Sequence, residues 1–307
     1  MKSGTTARQG AIVVEAPAKV NLHLGVGGLR ADGYHGVETV LQAVDLVDTV
    51  SLRVADQLSL DCRSCPDLPA ERNLAWLAAE QMSERFGRTP GVAIALDKAI
   101  PAGAGLGGGS SDAAAVLVGL AALWDLDGTD PAVRNEIEDA AASLGADVPF
   151  FLTGGTALFS GRGDVFVRSF DTPRLHLVLA KPPEPVPTAA AYAAFDRAPV
   201  PAASPDGLLA ACQAGGADEI AHALANNLEA VASALVPKVA DALAWVRGAE
   251  GVLGATVSGS GSAVFGVCRD AGSAERAAAS AALRGWWAAA TRSRSTGVAV
   301  RFDEEAL

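Results

Sequence analysis

From Val20 onward the chain alternates strictly, with Val20, Leu22, Leu24 and Val26 on one side and Lys19, Asn21, His23 and Gly25 on the other. Period-two spacing of this kind predicts a strand with one buried face. It lies within a longer run, IVVEAPAKVNLHLGV, over residues 12–26. ADGYHG follows, and its Asp-Gly marks a turn. Further strands are expected at 37–44, at 49–54 (TVSLRV) and at 91–97 (GVAIALD), with a helix near 73–86. The apolar run from Ala113 to Trp124 reads as a core helix. Another helix is expected from Pro131 to Leu144, with proline in its first turn and Gly145 near its stop. LHLVLAKP at 175–182 opens a new set of strands and helices, PPEPVP is a loop by its prolines, and Ser204-Pro205 and Gly215-Gly216 punctuate helical segments. Strands and helices mix without regular alternation or a long repeat, so an α+β fold is expected, with a boundary near residue 165.

A length of 307 residues favours two domains. The formal net charge is −11 and no dense Lys/Arg run interrupts it. That argues against a nucleic-acid or anionic-membrane partner, either of which would need a basic surface. MKSGTTARQG has no apolar stretch of signal-peptide type behind it and is expected to be a frayed tail. No apolar run approaches the roughly 18 residues of a spanning helix. A soluble, cytoplasmic chain is expected, either a monomer or a homodimer. Four cysteines are few for this length. Cys62 and Cys65 form one C-x-x-C, but Cys212 and Cys268 stand apart, whereas a structural zinc site wants a second pair. The plain reading is two reduced thiols beside a turn. His23, His35, His176 and His222 form no ligand pair, so no metal site is expected.

One segment is not explained by packing. PAGAGLGGGSSDAAAVLVGLAALW, residues 101–124, clusters glycines directly ahead of a helix. Each ordered glycine costs about 0.5–1 kcal/mol more than alanine. Such a cluster implies unusual dihedrals or a ligand lying against bare backbone. A Walker A loop fails because no lysine follows the glycines. Gly103 to Gly108 satisfies G-x-G-x-x-G, yet Asp125 follows the end of the helix itself rather than a second strand, so the dinucleotide reading fails too. A phosphate cradle of another kind remains. Gly107 to Gly109 would allow close approach, and Ser110, Ser111 or Asp112 would cap the helix whose N–H groups and dipole face an anion. The alternative is a helix cap beside a tight backbone crossing.

P-x-G-x-G-L-G-G-G-S-S-D-A-A resembles the second motif of the GHMP kinases, APAKVNLHLGV the first and TVSGSGSAVFGV the third. RADGYHGVETVLQAVDLVDTV and LGADVPFFL are more particular. They resemble the branch that phosphorylates a cytidine diphosphate alcohol, on the 2-hydroxyl of its methylerythritol portion, in non-mevalonate isoprenoid biosynthesis. Leu29 stands where a basic residue is common. The resemblance implies a ribosomal S5 domain 2-like N-terminal domain over 11–165 and a ferredoxin-like C-terminal domain over 166–307, with the site between them. It implies ATP as co-substrate and Mg²⁺ with unidentified ligands. Rival readings are a kinase for another small alcohol such as homoserine, or a non-catalytic nucleotide binder.

Residue by residue, the resemblance makes Asp147 the general base, although an aspartate two residues before proline would otherwise read as a cap. It makes Lys19 the group that orients the acceptor hydroxyl, and Asn21 an acceptor contact. Tyr34 and Tyr192 would stack on cytosine, with Phe195 competing for the second role. His35 would meet the base edge, and Thr188 lies beside this subsite. The backbone of Pro101, Ala102, Gly103, Ala104, Gly105, Leu106, Gly107, Gly108, Gly109, Ser110 and Ser111 would wrap the phosphates. Asn73 and Lys98 would lie near adenine, and Ser258, Gly259, Ser260 and Gly261 would line the cleft from the second domain. Because the chain is acidic, local amides, Lys19 and Lys98 are expected to supply the field that holds two polyanions.

Overall fold

The computed structural model describes residues 11–65 and 68–302. The expected frayed tail, residues 1–10, lies outside the described residues. The N-terminal half contains β1 (Ile12–Leu29), β2 (His35–Val54), β3 (Ser59–Asp61), α1 (Leu74–Arg85), β4 (Val92–Asp97), α2 (Gly108–Leu123), α3 (Pro131–Leu144), α4 (Val148–Thr153), β5 (Thr156–Ser160) and β6 (Val165–Phe170). The remainder contains β7 (His176–Lys181), α5 (Thr188–Arg197), α6 (Asp206–Ala214), α7 (Ala217–His222), β8 (Ala225–Asn226), α8 (Glu229–Leu235), α9 (Pro237–Gly248), β9 (Val252–Val257), β10 (Val264–Cys268), α10 (Ala271–Ala282), β11 (Trp287–Arg292) and β12 (Ala299–Phe302). The two strands expected at 37–44 and 49–54 are one continuous strand, β2. The helix at 131–144 has Asp130 as its cap, accepting from the Ala132 N–H at 2.9 Å.

The first sheet runs β12-β1-β2-β4-β3, with β5 pairing the early part of β2, β6 outside β5, and β8 beside β1. β1 and β2 are long antiparallel partners whose register shifts between Pro17 and Ala18 and again between Asn21 and His23. At the first shift the extra residues, Asp45 and Leu46, belong to β2, so the alternation of β1 runs through it unbroken. Ile12, Val14 and Ala16 enter a core with α1 and α2, and Ala18, Val20 and Leu22, farther along the same alternating series, enter a second core.

The second sheet, β11-β7-β10-β9, is antiparallel throughout. Leu177, Leu179, Phe265 and Val267 pack on Val20 and Leu22 of β1, while Val178, Ala180 and Val264 pack on α9 and α10 residues such as Val239, Val246 and Ala274. Both faces of β7 are covered, which explains why LHLVLAKP is continuously apolar instead of alternating.

Three expectations change. The chain leaves the first sheet after Phe170, not at residue 165, and β12 returns to pair with β1, so the second half is not a closed unit. The polar face of β1 is not solvated: Lys19, Asn21 and His23 are all buried, and over Lys19 and Asn21 lie the glycine loop, Asp147 and the turn that follows β9. Cys62 and Cys65 are joined in a disulfide rather than reduced. The Cys65 N–H donates to the Cys62 carbonyl at 3.0 Å, a turn that holds the two Cα atoms 5.3 Å apart, within bridging reach.

The returning C-terminal segment braces α4. The Val298 N–H donates to the Phe151 carbonyl at 2.9 Å, and a Cβ on Gly297 would lie 2.0 Å from that same oxygen. Gly297→Ala is expected to lower stability by about 1–3 kcal/mol, the usual range for overpacking, read from the denaturant midpoint of equilibrium unfolding.

Candidate active site

The glycine loop joins β4 to α2 and crosses between β1 and the β9–β10 turn. The Lys19 N–H donates to the Leu106 carbonyl at 2.9 Å, and the Ala263 N–H to the Ala104 carbonyl at 3.0 Å. The Ser258 hydroxyl donates to the Gly105 carbonyl at 2.9 Å. The third glycine motif thus connects β9 to β10 and rests directly on the loop. Gly105 has φ +76°, and a Cβ there would lie 2.1 Å from the Ser258 carbonyl oxygen. At Gly107, φ +75°, a Cβ would meet Phe151 Cζ at 2.7 Å and Lys19 Cγ at 3.0 Å. Only glycine lets the loop pass here.

The helix begins earlier than expected. Gly107 is its N-cap, in the left-handed region, and among the described residues no side chain caps it. Ser110, Ser111 and Asp112 are therefore not caps but lie inside the helix. The reason is steric: a glycine run needs no side-chain room and enters the helix at once. The consequence is chemical, since the first-turn N–H groups of an uncapped helix remain available to an anion. They face a cavity of about 380 Å³ lined by Pro101 to Ser110, Asn73, Lys98 and Asp112. Ser111 stands behind this wall, fully buried.

Asn73 serves as a cap, its carbonyl oxygen accepting from the Ala75 N–H at 3.0 Å, and it also lines the cavity. Lys98 does not offer a free charge. Its ammonium is paired with Asp48 and, at 2.5 Å, with Asp112. Burial pulls the Lys98 ammonium down, but the two carboxylates hold it above the ordinary lysine value. Burial pushes Asp112 up to about 7, against the attraction of Lys98 and with the repulsion of Asp48 added. The expectation that Lys98 strengthens the field on a ligand is corrected: two carboxylates neutralise it.

Asp147 immediately precedes α4, yet its side chain makes no capping hydrogen bond. It instead faces Lys19, Oδ2 lying 3.4 Å from Nζ. Lys19 is buried to 3% exposure while the Asp147 side chain keeps 37%, so the pair has a dry cation and an open carboxylate. The Lys19 ammonium also donates to Asn21 Oδ1 at 2.8 Å, Asn21 Nδ2 donates to Thr39 Oγ1 at 2.9 Å, and Thr39 donates to the His23 carbonyl at 2.6 Å. This chain of bonds locks the lysine rotamer beside Gly107.

A second cavity, about 760 Å³, opens on the other side of the pair. Gly145 and Ala146 form part of its wall, with Tyr34 from the β1–β2 turn, His35 from β2 and Thr188, Tyr192 and Asp196 from α5. His35 Nε2 lies 2.7 Å from Asp196 Oδ1, and the His35 and Tyr192 rings are 5.1 Å apart. The Arg162 guanidinium covers the Tyr34 ring at 4.9 Å. Burial, then the nearby Asp147, raises the Tyr192 hydroxyl above its ordinary value. Phe195 is 3% exposed and packs in the core with Val178 and Leu228. Thr188 and Ser260 hydroxyls meet at 3.0 Å, joining α5 to the third glycine motif.

Asp48, Arg162 and Asp196 are absent from the sequence reading. Asp196 had a signal, because Thr188, Tyr192 and Asp196 recur every four residues on one helix face. Asp48 belongs to the quoted segment RADGYHGVETVLQAVDLVDTV, but its pairing had no signal, because it meets Lys98 across fifty positions.

Two sheets clasping an uncapped glycine-headed helix, with a lysine–aspartate pair at its tip, define a small-molecule kinase of the GHMP class. Residues 73–155 match the GHMP kinases N terminal domain and 208–285 the GHMP kinases C terminal domain. The 4-diphosphocytidyl-2-C-methyl-D-erythritol kinase of Mycobacterium tuberculosis (strain ATCC 25618 / H37Rv) is 45% identical over 86% of this chain and 84% of its own. The enzyme of the same name from Mycobacterium avium (strain 104) is 43% identical over 89% of each chain. A crystal structure of 4-(cytidine 5'-diphospho)-2C-methyl-D-erythritol kinase superposes with a TM-score of 0.76 at 36% identity, covering 92% of this chain and 98% of that one. Homoserine kinase from Cytophaga hutchinsonii superposes at 0.74 with 22% identity, over 98% of this chain and all of that one, a likeness of fold alone. The chain belongs to the 4-diphosphocytidyl-2-C-methyl-D-erythritol kinase family of GHMP kinases.

The buried acid beside the loop gives a stability signature. A carboxyl whose folded value lies above its unfolded one binds its proton more tightly when folded, so its contribution is lost as pH rises. From Asp112, stability is expected to fall between the ordinary aspartate value and about pH 7. Urea midpoints across that range should show a smaller decline in Asp112→Asn than in the parent.

Proposed function

We propose that this chain transfers the γ-phosphoryl group of ATP to the 2-hydroxyl of 4-diphosphocytidyl-2-C-methyl-D-erythritol. The observation that carries the reading is the Lys19–Asp147 pair, 3.4 Å apart between an uncapped helix N-terminus and an aromatic-walled cavity. A mere nucleotide binder needs no open carboxylate held against a buried ammonium.

The triphosphate lies along Gly103 to Ser110, its oxygens accepting from the first-turn amides of α2. Asn73 flanks the adenine end. Magnesium would be held by the nucleotide's phosphates and water and would neutralise part of their charge; among the described residues no group of three His, Cys, Asp or Glu side chains converges, and Lys98 engages the carboxylates of Asp48 and Asp112. At the other end Tyr34 and Tyr192 enclose cytosine, with His35 on its edge. A base–aromatic stack is worth about 1–3 kcal/mol.

Between them the acceptor hydroxyl hydrogen-bonds to Asp147 and to the Lys19 ammonium. As its oxygen bonds to the γ-phosphorus, the bond from that phosphorus to the β,γ-bridging oxygen breaks. The hydroxyl proton passes to Asp147 and ADP leaves. Such a transfer asks the protein mainly for alignment and charge stabilisation. A positioned base contributes typically about 10²–10⁴ in rate.

A coupled ADP-release assay with the cytidine diphosphate alcohol, run beside homoserine and mevalonate, tests the assignment; turnover of a non-nucleotide alcohol alone overturns it. In that assay Asp147→Asn is expected to lower kcat at least about a hundredfold with both KM values within a few fold. Near-normal turnover removes Asp147 from the chemistry. Tyr34→Ala is expected to raise KM for the cytidine substrate by about five- to a hundredfold and leave that for ATP within twofold or so. Equal shifts in both would make the tyrosine structural.

A further inference from the structure

Asp48 lies on β2, fully buried, near the end of the segment RADGYHGVETVLQAVDLVDTV, and nothing above gives it a role of its own. Its Oδ1 accepts from the Ala99 N–H at 2.6 Å and the Ile100 N–H at 2.8 Å, the two residues that lead into the phosphate loop. Its Oδ2 accepts from the Lys98 ammonium, which reaches across to Asp112 in α2, beyond the loop's other end. One carboxylate therefore holds the entrance of the loop directly and its exit through a lysine bridge. The glycine backbone between has no side chains of its own to fix it.

We infer that Asp48 is a positioning residue for nucleotide binding, clasping both ends of the phosphate loop through Lys98 so that the α2 amides converge on the triphosphate. The inference rests on the nucleotide reading of that loop.

Electrostatics alone argues the other way. The cluster holds two carboxylates and one ammonium, and Asp112 Oδ1 is buried with no hydrogen-bond partner among the described residues. A surplus negative charge behind an anion site repels a polyanion. Removing the Asp48 charge should tighten nucleotide binding if charge decides and weaken it if position decides. The charged groups facing Asp112 are Lys98, beyond β4, and Asp48 from β2. Deleting Asp48 also relieves the repulsion that raises the Asp112 carboxyl.

The experiment is calorimetric titration of the full chain with magnesium-bound, non-hydrolysable ATP, and separately with the cytidine diphosphate alcohol. For Asp48→Asn the nucleotide Kd is expected to rise at least about tenfold, the scale of a lost charge-assisted bond, with the acceptor Kd within about twofold. Between pH 6 and 8.5 or so, the parent's nucleotide affinity is expected to fall as Asp112 ionises. In Asp48→Asn that fall should move to lower pH, a shift that a general loss of packing would not produce. Asp112→Asn cuts the exit side of the clasp and serves where Asp48→Asn does not fold; it should weaken nucleotide binding and remove the pH-dependent fall. Unchanged or tighter nucleotide binding in the folded variant overturns the clasp, as do equal losses for both ligands. A parent that binds the acceptor but no nucleotide overturns the loop reading, and the clasp with it.

Discussion

A strip of bare backbone decides how the rest of this molecule is arranged. At Gly105 the loop lies so close to the Ser258 carbonyl that a methyl group would occupy the same space, and at Gly107 the ring of Phe151 and the stem of Lys19 close in. This clearance brings four elements to one point: the first strand, the β9–β10 turn, the glycine-headed helix and the short helix behind Asp147. A larger residue would push the hairpin off the loop and separate the lysine from the helix tip. Asp147 would then keep its place beside α4 but lose its neighbour.

On the proposed function, the same contact explains how an acidic chain would hold two polyanionic ligands. A net charge of −11 supplies no long-range attraction. Attraction has to come from oriented dipoles within the first turn of a helix, where partial charges act at contact distance and need no counterion. Lysines are used sparingly. Lys19 is desolvated and shared between Asn21 and Asp147, which holds it in place. Lys98 is enclosed by carboxylates and works as a tie between backbone segments. Neither behaves as a surface charge would.

The cavity proposed for the acceptor depends on the contact between the two sheets. Tyr34 comes from the turn before β2, His35 from the start of β2, and Thr188, Tyr192 and Asp196 from one face of α5. They meet because Val20 and Leu22 of β1 pack on Leu177, Leu179 and Phe265 of the second sheet. Close-packed interiors resist sliding, so this core sets the spacing of the aromatic walls. Along β1 one alternating apolar series passes from the first core to the second, and Lys19 lies out of that series, beside the loop.

Much was legible from the residues alone, because the signals were local. Period-two alternation marked β1, proline and glycine bracketed α3, and the glycine cluster pointed to a close backbone approach, which the loop makes to the β9–β10 turn. Motif order carried the family, and with it the proposal for Lys19, Asp147 and the loop. Other features needed the folded chain, since they are relations between distant residues. Whether the polar face of β1 met water or a covering loop could not be read from alternation, which is the same in both cases. Helix propensity suggested Ser110 to Asp112 as caps, but the left-handed turn at Gly107 started the helix sooner. Tyr192 and Phe195 sit three residues apart on one helix, and tertiary packing sent one to a cavity wall and the other into the core. Asp48 looked like any strand aspartate until β4 and α2 delivered Lys98 and Asp112 to it. Sequence alone determined which backbone could approach a phosphate and which residue types could move a proton; three-dimensional packing decided which side chains were desolvated, paired and aimed, because burial and charge pairing are properties of neighbours that the linear order leaves far apart.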